Sequence, residues 1–592
     1  MREPILETMR SPEQVKRLSL HELTRLCVEV RDFLVDSISR TGGHIGANLG
    51  VIELTVALHH VYSFPEDRII FDTGHQGYTH KLLTGRKELF KTLNQPGGMS
   101  RFLARSESPY DSIEASHAGT AISIASGMAQ KKVLKKSSEN IVAVVGDGAL
   151  VEGMSAEGLN FVVHGNLPMV IVVNDNGMSI PVNVGGIKNL FSGSDWMEKS
   201  RNHFEGLGYT YFCVQDGHDI ESLVTTFRRA KDIARDGAVV VHVKTEKGRG
   251  LPIAKDHKYK MHFSMPFNPV TGEGSSPVPA GKTYAAVAGD KLCSLMRIDP
   301  AIMVITPSTP YASGLDACLE EFPDRTIDVG MAEQHALGYA AGMALSGLKP
   351  YVCFQSTFMQ RAFDQILHDI AFMNLPVTIM SVRSGFAGYD SHTHHGIYDL
   401  SYLKCVPNLP IFYPGTSYEL EKIIEERCVA SSGPLMILYP YESIREDEDI
   451  HQPRDPVLEG AEVMKPGSDG YILSVGNTLG TGIKVCDLLA RRNVHFGLVN
   501  ARWLNPLPKN QLIPLLKSVG YAVTIEENVL DGGYGSSIAE LITDNDLRCR
   551  LLRCGIEKSF VIPGTKEDLC RNKGIDAESI LARIRSHWAE LF

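Results

Sequence analysis

Two short apolar runs each end in a polar turn, and these turns hold the side chains with the most evident chemistry. Residues 141–145 precede Gly-Asp-Gly (146–148), and residues 169–173 precede Asn-Asp-Asn (174–176). Both runs are rich in β-branched residues and too short for a buried helix, which predicts strands covered on both faces of a parallel sheet. Residues 150–164 have the length of a crossover helix, so the whole stretch predicts a βαβ unit.

Open α/β sheets bind ligands beyond the carboxyl ends of their strands. One carboxylate and one or two amide oxygens would converge there, and such hard oxygen donors suit Mg²⁺ that keeps phosphate oxygens in its shell. The helix after Gly148 would offer backbone N–H groups to the same phosphates. Gly-Asp-Gly alone is also ordinary turn chemistry, but the pair of turns at this spacing predicts a diphosphate–Mg²⁺ site.

Other polar residues lie where predicted strands end or helices begin. His44 lies in the glycine-dense loop 42–50, and Ser116-His117-Ala118 opens an alanine-rich helix. Glu333 lies where a strand passes into the predicted helix 336–345. A lone loop histidine is more often a surface residue than a catalyst, so His44 is a candidate only together with its neighbours.

The loop 384–396 follows a predicted strand (377–382) and Arg383, and it concentrates ionisable side chains: Asp390, His392, His394 and His395. His-x-His after a strand is a common zinc arrangement, as in a zinc hydrolase. We favour an acid–base or substrate-binding loop because no further cluster with metal-ligand spacing accompanies it. A solvated loop is the third alternative.

Around these loops the chain alternates strand, polar loop and helix, which is typical of α/β domains. Longer helices are predicted over 11–40 and 360–372. The Pro/Gly/Ser-rich stretch 268–281 indicates a linker, and the proline-containing stretch 450–456 indicates a second boundary. The glycine-rich loop 526–535 fits nucleotide-binding patterns poorly and is interpreted as structural.

The composition narrows the class of protein. At about 150 residues per domain, 592 residues predict three to four domains. A net charge of −10 and a pI near 6.1 argue against a nucleic-acid partner. Eleven cysteines without a Cys-x-x-Cys pair predict reduced thiols. There is neither a signal-peptide pattern nor an apolar run of about 18 residues, so we expect a soluble, cytoplasmic protein.

Seven segments together resemble one family, the 1-deoxy-D-xylulose-5-phosphate synthases, which are transketolase-like thiamine-diphosphate enzymes. The segments are HIGANLG (44–50), GHQGYTHK (74–81), GDG with NDN (146–148 and 174–176), AEQHA (332–336), STFMQRAFDQILHD (356–369), HTHHGIYDLSYLKC (392–405) and VTIEENVLDGGYGS (523–536). The resemblance covers essentially the whole chain.

The resemblance implies an α/β, three-domain architecture with a diphosphate- and Mg²⁺-binding domain (1–267), a pyrimidine-binding domain (282–447) and a smaller C-terminal domain (456–592). It implies a homodimer that uses thiamine diphosphate and Mg²⁺, with the cofactor between the first two domains of one chain. The reaction it implies decarboxylates pyruvate and joins the two-carbon unit to D-glyceraldehyde 3-phosphate. Neither a nucleic-acid nor a membrane partner is expected.

The resemblance also assigns roles to individual residues. The metal would be held by Asp147, Asn176 and the carbonyl of Met178. Glu333 would bond the pyrimidine ring of the cofactor and Phe358 would stack on it. The remaining cofactor contacts would be His75, Ser116, His117, Ala118, Gly148, Ala149, Asn176 and Leu251. Proton transfer and substrate binding would fall to His44, His75, His262, Arg361, Arg383, Asp390 and His394.

Two positions depart from the family pattern. Gln355 stands where the family usually has tyrosine and Tyr441 where it has arginine, and both positions are associated with the phosphate of the acceptor. The segment 185–204 is also shorter than usual. Losing one charge-assisted contact would weaken acceptor binding by about 1.5–3 kcal/mol, unless Arg445 or another basic residue substitutes.

A carboligase with another aldehyde acceptor or a ketose donor therefore stays an alternative to the synthase. A non-catalytic relative of the fold is a further alternative. The intact set of Asp147, Asn176 and Glu333 argues against it.

Overall fold

The computed structural model describes residues 3–114, 116–274, 281–429, 432–444 and 459–592. The chain divides into two compact units. Unit 1 comprises Met1–Pro277 together with Gly330–Ala332, and unit 2 comprises Val278–Val329 together with Glu333–Phe592. The predicted three-domain boundaries stay a prediction, and the suggested substitute Arg445 lies outside the described residues.

The described part of unit 1 contains a five-stranded parallel sheet in the order β1-β2-β3-β5-β4. The strands are β1 (Arg68–Phe71), β2 (Ile141–Gly146), β3 (Val170–Asp175), β4 (Thr210–Val214) and β5 (Val239–Lys244). β2 and β3 are neighbours, with Gly146 opposite Asn174. The predicted βαβ unit is confirmed, and both polar turns lie at the same edge of the sheet. Apolar side chains on both faces are buried, as the continuous hydrophobic runs predict.

The helices of unit 1 cover the two faces of this sheet. They are α1 (Ile5–Thr8), α2 (Leu20–Thr41), α3 (Ile45–Leu49), α4 (Ile52–Val61), α5 (Tyr78–Leu83), α6 (Ala121–Lys135), α7 (Gly153–His164), α8 (Gly185–Leu190), α9 (Trp196–Leu207), α10 (Ile220–Ile233) and α11 (Pro252–Asp256). The helix predicted over 11–40 is interrupted, because a 3-10 helix (Pro12–Arg17) ends before Ser19. Ser19 and Glu22 form a capping box that starts α2 anew.

The described part of unit 2 contains two further sheets. The first has the order β15-β10-β11-β9-β8-β6-β7 and is parallel except where β15 meets β10. The second has the order β12-β14-β13-β16-β17 and is parallel except at β12. The strands are β6 (Ile302–Thr306), β7 (Thr326–Asp328), β8 (Lys349–Gln355), β9 (Thr378–Val382), β10 (Ile411–Phe412), β11 (Leu435–Tyr439), β12 (Glu462–Lys465), β13 (Gly470–Ser474), β14 (Phe496–Asn500), β15 (Trp503–Asn505), β16 (Tyr521–Val529) and β17 (Arg550–Ile556).

The helices of unit 2 pack on both sheets, which share one apolar core. They are α12 (Tyr284–Ile298), α13 (Asp316–Glu321), α14 (Glu333–Leu345), α15 (Ser356–Met359), α16 (Phe363–Gln365), α17 (Asp399–Leu403), α18 (Ser417–Val429), α19 (Leu479–Ala490), α20 (Lys509–Lys517), α21 (Tyr534–Asp544), α22 (Lys566–Asn572) and α23 (Ala577–His587). The helix predicted over 360–372 is broken into a 3-10 turn, α16 and a π-helical turn at Ile366–Ala371. None of the described helices has the length and apolar character of a transmembrane segment.

Candidate active site

The first polar turn holds Asp147 in a fixed orientation at the carboxyl end of β2. Its Oδ1 accepts a hydrogen bond from the N–H of Gly148 (3.1 Å), and its Oδ2 accepts from the N–H of Gly177 (2.7 Å) and from Asn183 Nδ2 (2.8 Å). Burial and the neighbouring Asp175 raise the pKa of Asp147. A divalent cation would relieve this unfavourable buried charge, so the carboxylate fits a metal ligand.

The second polar turn divides its three side chains between structure and site. Asn174 is fully buried and accepts a hydrogen bond from Thr245 Oγ1 (2.6 Å). Asp175 Oδ2 pairs with His242 Nε2 (2.8 Å) and Lys244 Nζ (2.6 Å), which together outweigh burial and lower its pKa. Asn176 is partly exposed, and its Oδ1 accepts from the N–H of Met178 (3.0 Å). Asn176 is therefore the member placed to bind a ligand.

Asp72 anchors the segment that contains Ser116, His117 and Ala118 to the carboxyl end of β1. Its carboxylate oxygens accept from the N–H of Gly119 (2.9 and 3.0 Å) and of Ala121 (3.1 Å), the first residue of α6. The predicted 116–118 contacts therefore lie at the same sheet edge as the Asp147 turn.

Three predicted histidines form a cluster in unit 1. The ring centroids of His44 and His75 are 5.5 Å apart, those of His44 and His262 5.5 Å, and those of His75 and His262 5.3 Å. Burial, helped by the charge of Lys247, lowers the pKa of His75 to about 3 and that of His262 well below its usual range. Both imidazoles are therefore neutral at physiological pH and can accept or relay a proton.

Unit 1 also has a cleft of about 370 Å³, which is lined by Asn176, Met178 and Leu251 among others. Lys247 lines it too, and its ammonium donates to the carbonyl of Ser179 (2.6 Å). Burial lowers the pKa of Lys247 to about 7, although the charge of Asp147 opposes the shift. A buried cation beside a carboxylate and an amide oxygen fits a diphosphate held together with a metal ion.

In unit 2, Glu333 is the first residue of α14 and is 4 % exposed. Burial raises the pKa of its carboxyl group, while Arg361, whose Nη1 lies 3.6 Å from Glu333 Oε2, opposes the shift. A water-shielded carboxyl group with a tunable proton is what acid–base chemistry on a heterocyclic ring nitrogen requires.

Four more predicted residues of unit 2 form a continuous cluster. The Phe358 and His394 rings pack edge to face at 5.4 Å, and His394 Nδ1 lies 3.2 Å from Asp390 Oδ1. Arg383 Nη1 donates to Asp390 Oδ2 at 2.8 Å. The cluster joins an aromatic face to an imidazole, a carboxylate and a guanidinium, which can orient an anionic substrate.

The two departures from the family pattern lie in this same unit. The Arg383 guanidinium stacks on the Tyr441 ring at 4.7 Å. Gln355 ends β8 and is 4 % exposed. An aromatic ring therefore packs on Arg383 at the position where the resemblance leads us to expect an arginine.

The zinc alternative has no support within the described residues, where no group of three or more His, Cys, Asp or Glu side chains is placed to hold a metal ion. His394 is engaged by Ser391 Oγ (2.7 Å) and Asp390, and His395 Nδ1 accepts from the N–H of Ala387 (3.0 Å).

Sequence reasoning missed Lys247, although it identified the Lys247–Gly250 turn after β5. The position of Lys247 could have identified it. β5 is the neighbour of β3, so the carboxyl end of β5 lies at the sheet edge that holds Asn176. Of the predicted unit 1 residues, three histidines form one cluster and three others line one cleft; in unit 2, Arg361 lies beside Glu333, and Asp390 contacts Arg383 and His394.

The comparisons with known proteins give the class: the chain is a transketolase-like enzyme. Family models of the transketolase pyrimidine-binding domain and of the transketolase C-terminal domain match residues 280–446 and 459–580. A model described as 1-deoxy-D-xylulose-5-phosphate synthase matches residues 6–201 and 194–245.

The chain belongs to the 1-deoxy-D-xylulose-5-phosphate synthase family. It is 37% identical to the synthase of Syntrophus aciditrophicus, 38% identical to that of Thermomicrobium roseum and 39% identical to that of Carboxydothermus hydrogenoformans. The alignments cover 98%, 98% and 99% of this chain and 95%, 97% and 100% of the relatives. As a member of this family it is a transferase that uses thiamine diphosphate with a divalent metal such as Mg²⁺.

Proposed function

We propose that this chain condenses pyruvate with D-glyceraldehyde 3-phosphate, giving 1-deoxy-D-xylulose 5-phosphate and CO₂. The proposal rests chiefly on the similarity to named synthases along nearly the whole chain. The residues that the resemblance assigns to the metal, the cofactor and proton transfer are present in the sequence, which supports the same conclusion.

The metal and diphosphate would be held in unit 1. Asp147, Asn176 and the carbonyl of Met178 would bind Mg²⁺, because they supply hard oxygen donors at one sheet edge. Lys247 would offset the remaining negative charge. The other contacts would be His75, Ser116, His117, Ala118, Gly148, Ala149 and Leu251.

Thiamine diphosphate, when bound, supplies the carbon nucleophile that takes up pyruvate and carries its two-carbon unit after CO₂ is lost. Glu333 would exchange a proton with the aminopyrimidine ring, since its carboxyl group is shielded from water. Phe358 would stack on that ring. The chain runs directly from Gly330–Ala332 of unit 1 into Glu333, the first residue of α14 in unit 2.

The remaining predicted residues would handle substrates and protons. His44, His75 and His262 would relay protons, because His75 and His262 are kept neutral by their lowered pKa values. Asp390 and His394 would do the same in unit 2. Arg361 and Arg383 would bind carboxylate or phosphate groups.

The test is product identification. The purified chain with thiamine diphosphate, Mg²⁺ and ¹³C-pyruvate is given D-glyceraldehyde 3-phosphate or unphosphorylated aldehydes, and the products are resolved by mass spectrometry. We expect labelled 1-deoxy-D-xylulose 5-phosphate, with kcat/KM highest for the phosphorylated acceptor. No advantage from the phosphate group would overturn the assignment of the acceptor.

A carboligase with another acceptor is the second candidate. One observation favours it: Arg383 is already paired with Asp390 and covered by the Tyr441 ring. The panel of aldehydes in the same experiment separates the two candidates.

We further propose a cytoplasmic homodimer with the three domains predicted from the sequence. Support for the dimer comes from the outer face of α14, where Tyr339 and Leu345 are exposed and Gly338 and Gly342 have open space beside them. A second copy could approach such a face closely. Sedimentation analysis should give a dimer mass, and Gly342→Trp should shift the chain toward monomer.

A further inference from the structure

Asp399 is a buried carboxyl group that the proposed reaction does not use. It begins α17 and is 1 % exposed. Its Oδ2 accepts hydrogen bonds from Ser356 Oγ (2.6 Å) and Ser384 Oγ (3.1 Å). Its Oδ1 is buried and has no hydrogen-bond partner among the described residues. Burying a carboxyl group that has one oxygen without a hydrogen-bond partner costs free energy of folding. We therefore expect Asp399 to have a functional role.

The two serines belong to the segments that bear the candidate site residues. Ser356 opens α15 and lies two residues before Phe358, and Ser384 directly follows Arg383. Asp399 itself ends the loop that carries Asp390 and His394. One carboxylate oxygen thus joins Ser356, which is 43 positions away in the sequence, to Ser384, which lies 15 positions before Asp399.

Close packing at Gly396 shows how tightly these stretches meet. The N–H of Gly385 donates to the carbonyl of Gly396 (2.9 Å). A Cβ added to Gly396 would collide with Ser356 Oγ and with the carbonyl of Arg383. The segments that bear Ser356, Arg383 and Gly396 are therefore closely packed where they meet.

We propose that Asp399 is a positioning residue whose carboxylate holds the segments bearing Phe358, Arg383 and His394 in the arrangement that binds cofactor and acceptor. The reading of those residues as site residues rests on the proposed function. Asp399 acts through its hydrogen bonds from Ser356 and Ser384.

The charge on Asp399 changes near neutral pH. Burial raises its pKa to about 7, although the bonds from the two serines oppose the shift. Among the residues that the structure describes, the charge of Asp399 raises the pKa of the phenols of Tyr402 and Tyr413, and burial is the larger cause that keeps each pKa well above its usual range. Tyr413 also donates to the carbonyl of Ser384 (2.9 Å). The two serine bonds are therefore strongest above pH 7, where the acceptor is ionised.

The test compares Asp399→Asn with the unmodified chain from pH 6 to pH 8.5. The readouts are kcat/KM for the acceptor aldehyde and the Kd of thiamine diphosphate with Mg²⁺ from calorimetry. At pH 6 the unmodified residue is itself largely neutral, so we expect a loss of about threefold. At pH 8.5 we expect a loss of about thirtyfold, because charge-assisted hydrogen bonds are replaced by neutral ones. The proposal would be overturned if the ratio of the acceptor kcat/KM of the unmodified chain to that of Asp399→Asn did not change with pH.

Glu526→Gln is the matched control. Glu526 is fully buried in the same unit, and burial raises its pKa to about 7 as well. Its carboxylate accepts from the N–H groups of Tyr534 (2.7 Å) and Gly535 (2.8 Å) and not from the three segments. The acceptor kcat/KM of this variant should show no new pH dependence. If it matches Asp399→Asn, the effect is general to buried carboxyl groups and the proposal fails.

Ser384→Ala keeps the carboxylate and provides a second measurement if Asp399→Asn folds poorly. It should lose about fivefold in acceptor kcat/KM at pH 8.5, and the double variant should be no worse than Asp399→Asn alone. Additive losses would contradict a shared hydrogen bond. If the unmodified chain makes no condensation product, the proposed function has failed, whereas the pH dependence of the cofactor Kd still decides whether Asp399 positions Phe358.

Discussion

The buried polar groups of the two candidate sites have different kinds of partner in the two units. In unit 1, the Asp147 carboxylate accepts hydrogen bonds from backbone N–H groups and an amide, and the His75 and His262 rings are held neutral. In unit 2, the site is assembled from paired charges, Glu333 with Arg361 and Arg383 with Asp390. The Asp147 carboxylate is thus held by hydrogen bonds at the end of a strand, whereas the unit 2 side chains are held by ion pairs with one another.

This difference determines what a substitution should do. A turn keeps its shape when one side chain is removed, so changes in unit 1 should act mainly on ligand affinity. Removing one partner of a buried ion pair leaves the other charge uncompensated. Changes in unit 2 should therefore act on the orientation and protonation of the groups that remain.

The largest effect is expected for Glu333→Gln. Glutamine keeps the shape of the side chain but cannot exchange a proton, so kcat for pyruvate decarboxylation should fall about 10³-fold. The Kd of thiamine diphosphate should change by less than about tenfold, because the metal site in unit 1 is untouched. Steady-state kinetics and calorimetry measure the two quantities.

The control for this variant is Glu320→Gln, which removes an exposed carboxylate from the same unit. It should leave both quantities unchanged. If Glu333→Gln instead abolished cofactor binding with little effect on kcat at saturation, the division of roles between the units would be wrong.

The adjacent aspartates of unit 1 provide the next test. Asp147→Ala should weaken thiamine diphosphate binding in the presence of Mg²⁺ by about 100-fold, because a metal ligand is lost. Asp175→Asn should leave that affinity within about tenfold. It should instead lower the free energy of unfolding by about 3 kcal/mol, since His242 and Lys244 lose a buried partner.

Calorimetry and urea unfolding separate the two outcomes. Equal losses of affinity in both variants would mean that Asp175, and not the backbone turn, organises the metal site. That result would make unit 1 resemble unit 2.

The sequence was most informative where chemistry is local. Two short unbroken apolar runs and the spacing of the polar turns after them were enough to predict the βαβ unit and the sheet edge that holds Asp147 and Asn176. The structural role of Asp175 could not be told apart from the role of Asn176, because its partners His242 and Lys244 lie on β5, far along the chain. Asp399 was missed for the same reason, since Ser356 is 43 positions away. The break in the helix predicted over 360–372 has no signal in the helical pattern, and the structure gives no physical cause for the π-helical turn.

Glu526 of unit 2 resembles Asp147 in that backbone N–H groups donate to its carboxylate. Its pKa rises from an ordinary 4.5 to about 7. The native state therefore binds its proton more tightly than the unfolded state does. The resulting stabilisation is present below about pH 4.5 and is lost as the pH rises through about 7. Glu526→Gln should remove this trend. The free energy of unfolding of the variant, relative to that of the unmodified chain, should therefore rise by about 2–3 kcal/mol between pH 5 and pH 8.

Urea unfolding at the two pH values measures the gain. Asp399 contributes the same trend to both proteins and cancels in the difference. If the difference in free energy of unfolding did not change with pH, the two N–H groups would fully offset the cost of burying the charge. A carboxylate held by backbone N–H groups would then differ little in energy from one held by an ion pair.

The smallest effect is expected at Tyr441, where the contrast concerns a single ring. Tyr441→Leu removes the aromatic face that covers the Arg383 guanidinium but leaves the ion pair to Asp390. A partly buried cation–π contact contributes about 1 kcal/mol, so KM for the acceptor should change about fivefold while KM for pyruvate stays constant. A fall in KM would mean that the ring blocks the acceptor from Arg383, and a rise would mean that the ring orients the guanidinium.

Tyr418→Leu, which removes a ring contacted by Lys422 at 5.9 Å elsewhere in unit 2, should change neither constant. An acceptor KM that is equally unaffected by both substitutions would exclude Tyr441 from acceptor recognition.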